Sequence, residues 1–201
     1  MMDMETMDLL AAKKNLRKEL RSLRSAVPAK ERQLFSARMT AELSRQYFFQ
    51  DANVVMAYAS LLEEVQLYDL LRFSLDIGKK VCIPYIHGDG LMDAAELASL
   101  GDLVEARYSI LTVRDAQERI VDPASIGCVI VPGVAFTAAG ERLGMGGGHY
   151  DRFLKEQAPY AYRVALAFEC QMVDHVPTEP HDLLMDTIIT EERTIHCKES
   201  R

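Results

Sequence analysis

The chain has 201 residues, 49% hydrophobic and 26% charged, a globular composition that supports one full-sized core and leaves too little for two. Its net charge of −7 argues against a general nucleic-acid or membrane-surface binder, and no apolar run approaches the roughly 18 residues of a membrane span. The acidic N-terminus MMDMETMDLL is unlike a signal or transit peptide, so the expected location is the cytoplasm, where Cys82, Cys128, Cys170 and Cys197, none near another in sequence, stay as thiols.

Residues 7–26 read as an amphipathic helix, with Leu9, Leu16, Leu20 and Leu23 at helical spacing among charged residues. Pro28 suits the first turn of a second helix running to about Tyr47. NVVMAYAS, 53–60, is apolar and β-branched, hence a buried strand. VQLYDLLRFSLDIG, 65–78, has a helical pattern closed by Gly78, and KKVCIPYI, 79–86, is the next strand. Strand–helix–strand at this spacing signals a parallel sheet. The region 90–126 gives polar turns and one edge strand near 108–113. GCVIVPGVAF, 127–136, is the strongest buried strand, followed by a glycine-rich stretch and a helix over 148–157. YRVALAF, 162–168, and DTIIT, 186–190, complete the strands. The expectation is one domain over residues 1–201: a three-layer α/β/α fold with a mostly parallel, Rossmann-like sheet and N-terminal helices.

RLGMGGGHYDRFL, 142–154, concentrates Gly144, Gly146, Gly147 and Gly148 between a strand and a helix. Glycine inside regular structure costs about 0.5–1 kcal/mol relative to alanine, so the cluster asks what approaches the backbone there. In α/β sheets ligands bind at the carboxyl ends of strands. Exposed N–H groups and a helix N-terminus would make an anion cradle, and Arg142 would add a guanidinium. Neither the P-loop pattern nor GxGxxG fits, since His149 stands where a third glycine belongs; a tight turn without a ligand is the plain alternative. Asp151 falls in the first helical turn. Beside phosphates it would repel them unless a cation intervened, and Mg²⁺ held by carboxylates and phosphate oxygens resolves that conflict. Asp186, at the mouth of the last strand, is a candidate second carboxylate, an ordinary strand-edge turn being the alternative.

VPGVAFTAAGERLGMGGGHYDRFL, 131–154, resembles the signature of 5-formyltetrahydrofolate cyclo-ligases, and KKNLR, 13–17, ASLLEEV, 59–65, and HDLLMDTIIT, 181–190, agree with that family in the same order. The resemblance implies conversion of 5-formyltetrahydrofolate, with or without a polyglutamate tail, to 5,10-methenyltetrahydrofolate, with ATP as co-substrate and Mg²⁺ as cofactor. It implies that Lys13 and Arg17, on one helical face, reach the ATP phosphates, and that Arg142, Leu143, Gly144, Met145, Gly146, Gly147, Gly148, His149 and Tyr150 form the nucleotide loop. Leu61, Glu64, Met145, Gly147, His149 and Tyr150 would line the folate side, with Arg142 and Glu64 as catalytic groups and Asp151 and Asp186 holding the metal. His181 would order the loop leading to Asp186. His149 departs from the tyrosine the family often has. The expected functional unit is a monomer with no nucleic-acid or membrane partner.

Overall fold

The computed structural model describes residues 4–87, 90–106, 111–179 and 182–197. The elements run α1 (Met4–Ala26), α2 (Ala29–Arg45), a single-turn α3 (Tyr47–Gln50), β1 (Val54–Met56), α4 (Tyr68–Asp76), β2 (Lys80–Ile86), β3 (Met92–Leu97), β4 (Leu103–Glu105), β5 (Leu111–Val113), β6 (Cys128–Ile130), β7 (Ala135–Phe136), β8 (Arg142–Leu143), α5 (His149–Glu156), β9 (Tyr162–Leu166), β10 (Thr187–Ile189) and β11 (Thr194–His196). One sheet has the order β11-β10-β9-β6-β1-β2-β3. Its inner pairings are parallel, and its two edge pairings, β10 with β11 and β2 with β3, are antiparallel.

Side-chain alternation along the strands divides the core. Val55, Ile130, Val164, Leu166 and Ile189 face α2, α3 and α4, where they meet Met39, Leu43, Phe49 and Leu71. Met56, Val129, Ala165 and Ile188 face the other way and pack on Phe153 and Leu154 of α5. Period-two strands with both faces covered give the expected three layers.

Four local expectations are corrected. β3 was not anticipated: MDAAEL is poor in β-formers, yet it pairs with β2 over six residues, its alanines fitting the buried sheet. β11 was also missed. The strand expected over 127–136 stops at Ile130, because Pro132 has no N–H for the ladder; β7 leaves the sheet and pairs with β8 in a hairpin. In α1, Leu23 is exposed, while Leu9, Leu16 and Leu20 turn inward as expected and share that face with Lys13, Arg17 and Arg24. Of the edge strand expected near 108–113, residues 111–113 are β5, while 107–110 lie outside the described residues.

This topology places a site. From the centre of the sheet the chain winds outward one way through β1 and β2 and the other way through β6, β9 and β10. The switch lies between β1 and β6, and a crevice at the carboxyl ends of such strands is where α/β sheets bind ligands. β1 leads there into the segment carrying Glu64; β6 leads into the segment carrying Arg142 and the glycines.

Candidate active site

The glycine loop begins at the β7–β8 hairpin. Arg142 is only 7% exposed; its Nη1 donates to the Pro132 carbonyl at 3.1 Å and its Nη2 to Asp151 Oδ2 at 2.6 Å. A Cβ on Gly144 would lie 2.7 Å from Arg142 Nη1, so glycine there leaves the guanidinium its path. Gly146 (φ +107°) and Gly148 (φ +64°) take conformations that L-residues rarely adopt, and Gly148 caps α5. Asp151 follows in the first turn, where the helix dipole favours a carboxylate. Its Oδ1 accepts from the Leu183 N–H at 3.3 Å.

α1 crosses this loop. Arg17 Nε donates to the Gly144 carbonyl at 2.8 Å and its guanidinium lies against Gly146. Lys13 shares that face, but its ammonium bonds Glu179 at 2.6 Å and Asp182 at 3.0 Å. Burial alone would lower the Lys13 pKa; the two carboxylates outweigh it and raise it. Arg152, unremarked in the sequence, donates to the carbonyls of Gly147 and Gly90 at 3.0 Å each, tying the β2–β3 turn to the loop.

The β1 side contributes Glu64, 9% exposed. Its Oε2 accepts from the Leu61 N–H at 3.0 Å, while its own N–H donates to the Leu61 carbonyl at 3.1 Å. Burial raises the Glu64 pKa, opposed by the Leu61 N–H and by Arg24. The Glu64 charge in turn raises the pKa of Tyr150, already pushed up by burial, while Arg142 pulls it down. Tyr150 thus lies within electrostatic reach of both Glu64 and Arg142, which stand on the two segments leaving the switch point.

The remaining predicted residues divide. Met145 is 51% exposed, and Leu61 and His149 are partly buried. Burial and then Arg152 lower the His149 pKa. Leu143 turns its side chain into an apolar cluster with Leu20, Val134 and Val176, and its carbonyl accepts from the Val134 N–H at 2.7 Å within the hairpin. Asp186 accepts from Arg163, its Oδ1 from Nη2 at 3.0 Å and its Oδ2 from the backbone N–H at 2.8 Å. The two carboxylates expected to share a metal are therefore each held by a different arginine. His181 lies outside the described residues. Among those described, no group of three or more His, Cys, Asp or Glu is placed to hold a metal, and no helix is long and apolar enough to cross a membrane.

Two buried polar atoms near the Arg142–Asp151 pair, Arg142 Nε and the Tyr150 hydroxyl, have no hydrogen-bond partner. Buried polar groups are nearly always satisfied, so such atoms mark places where a polar ligand completes the set. Asp151 suits a hard cation that also takes phosphate oxygens. Two surface clefts of about 330 and 350 Å³ lie beside α2 and beside α4; the first meets the Glu64 segment at Leu62 and Gln66, and neither is lined by the glycine loop.

Fold and site together describe an α/β protein with a glycine-rich loop, crossed by two arginines, at the switch point of its sheet. The chain belongs to the 5-formyltetrahydrofolate cyclo-ligase family, whose sequence profile matches residues 10–191. The mouse 5-formyltetrahydrofolate cyclo-ligase is 27% identical over 192 residues, covering 90% of this chain and 95% of that protein. The Escherichia coli K12 5-formyltetrahydrofolate cyclo-ligase is 32% identical over 149 residues, covering 69% and 78%. The solved structure of Aquifex aeolicus 5,10-methenyltetrahydrofolate synthetase superposes with a TM-score of 0.82 at 27% identity, over 94% of each chain.

Proposed function

We propose that the chain, acting as one domain and as a monomer, cyclises 5-formyltetrahydrofolate to 5,10-methenyltetrahydrofolate at the expense of ATP. The observation that carries this is the meeting of Arg17, Arg142, Asp151, Tyr150 and Glu64, from separate segments, around one glycine loop. All belong to one chain, so a monomer suffices. The proposed place of action is the cytoplasm, in keeping with the four free cysteines.

The formyl oxygen is a poor leaving group. Transfer of the γ-phosphoryl group to it forms a phosphate ester, releases ADP and leaves an electrophilic, iminium-like carbon. The N10 amine of the same folate attacks that carbon; the C–O bond breaks, inorganic phosphate leaves, and N10 gives up its proton. The chain need supply no covalent nucleophile, only positioning and charge stabilisation. The glycine loop, with Arg17, Arg142 and Lys13, holds the polyphosphate. Lys13 reaches it by exchanging Glu179 and Asp182 for phosphate. Met145, His149, Tyr150, Leu61 and Gly147 border the folate. Glu64 stands on the folate side, where a fixed anion opposes the developing positive charge. Asp151 and Asp186 would hold Mg²⁺, the second by giving up Arg163; the ion would neutralise charge on the phosphate oxygens. Polyglutamylated folates belong to the same substrate class.

Absorbance of the methenyl product tests the reading. Formation from 5-formyltetrahydrofolate and ATP is expected with Mg²⁺ and lost in excess EDTA; full activity in EDTA would overturn the metal's role.

A further inference from the structure

Arg24 lies on the inward stripe of α1, seven residues beyond Arg17, and is only 2% exposed. Its Nη1 stands 3.6 Å from Glu64 Oε1 and its Nη2 3.4 Å from Glu63 Oε1. Its Nε is buried without a hydrogen-bond partner. A guanidinium this deep is costly to desolvate, and an apolar side chain of similar volume would serve helix packing as well or better. Its cation is spent on the loop that carries Glu64.

We propose that Arg24 is a positioning residue of the folate half-site: wedged between Glu63 and Glu64, it fixes the Glu64 carboxylate as a buried anion. This rests on the reading that Glu64 serves the folate. The carboxylate has two anchors. The Leu61 N–H holds Oε2, and Arg24 faces Oε1. The other groups facing it are Arg21 on α1, Glu63 on its own loop, Tyr58 after β1, Tyr68 on α4 and Tyr150 on α5. The tyrosines stay neutral at ordinary pH, since burial raises the pKa of each. Arg24 is therefore the nearest cation that offsets burial, and Glu63 competes with Glu64 for it.

The competition gives opposite signs to two substitutions. Losing Arg24 makes Glu64 easier to protonate; losing the Glu63 charge makes it harder. The pH dependence of kcat/KM for 5-formyltetrahydrofolate reports groups of the free enzyme. With Arg24→Met, kcat/KM for the folate falls about tenfold or more, the loss of one bond to a charged group. The acid limb of its pH profile moves to higher pH, and the KM for ATP stays near wild type. Arg24→Lys restores part of the rate and of the limb. Glu63→Gln, at a partly exposed position, moves the limb to lower pH and keeps the test sharp even where Arg24→Met folds poorly. Acid limbs unmoved in both Glu63→Gln and Arg24→Lys, or a change in ATP KM as large as that in folate KM, would overturn the proposal. Glu64→Ala separates the two levels: wild-type folate kinetics in it sink the reading of Glu64 itself, whereas a dead Glu64→Ala beside unmoved limbs sinks Arg24 alone.

Discussion

At the scale of single residues, the site depends on charges held where water is scarce. Arg142 binds the Pro132 carbonyl and Asp151 while its Nε lacks a partner. Arg142→Ala should weaken binding of a non-hydrolysable ATP analogue by about 1.5–3 kcal/mol in isothermal titration, the range for a hydrogen bond to a charged group; unchanged affinity would reduce the arginine to a strut for Asp151. Glu64→Ala should lose folate turnover and keep nucleotide binding, with Glu64→Gln nearly as severe if the charge is what matters; the reverse pattern of binding would exchange the two half-sites. Glu64 also leaves a mark on stability. Its pKa is raised above the ordinary 4.5 by burial. A raised carboxyl stabilises the fold fully below the unfolded pKa, and that contribution is lost as pH rises through the folded value. Glu64→Gln should therefore gain melting temperature over wild type at pH 7 relative to its difference at pH 4; a constant difference would mean Glu64 is no strained anion. Arg142 and Glu64 were legible from the resemblance. Arg24 was not, though the spacing 13, 17, 20, 24 was in plain view, because a basic helix reads as a solvated face until something packs on it.

At the scale of elements, the hairpin and glycine loop form one device. Gly140 has φ +95°, and a Cβ there would sit 2.6 Å from the Met185 carbonyl oxygen. Gly140→Ala should cost about 1–3 kcal/mol by denaturant unfolding, since an L-residue is strained there before the clash is counted. Gly147→Val acts on the ligand side: its Cβ would meet the His149 ring, so nucleotide affinity should drop while the fold survives. Unchanged affinity in both this variant and Arg142→Ala would leave the loop a plain turn. The loop was legible because glycines and a helix start are local signals. The β7–β8 hairpin was not: GCVIVPGVAF is uniformly apolar, and only the missing N–H of Pro132 hints that the strand breaks. β3 was hidden in the same way, its alanine-rich sequence taking strand form only against β2.

At the scale of the molecule, function follows from strand order. β1 and β6 are parallel neighbours, so the segments leaving their carboxyl ends carry Glu64 and the glycine loop to one crevice. Sequence could give the strands and the βαβ pattern; it could not give the order, which is decided by pairings between distant segments. Nor could it give the partners of Lys13 and Asp186, whose ion pairs link residues far apart in the chain. The central claim is that this crevice couples ATP to ring closure. The most direct measurement mixes the purified chain with 5-formyltetrahydrofolate, ATP and Mg²⁺ and follows the methenyl absorbance together with ADP. Absorbance and ADP should rise in equal amounts, and neither should rise when ATP is omitted. No rise with all three present, or an equal rise without ATP, would contradict it.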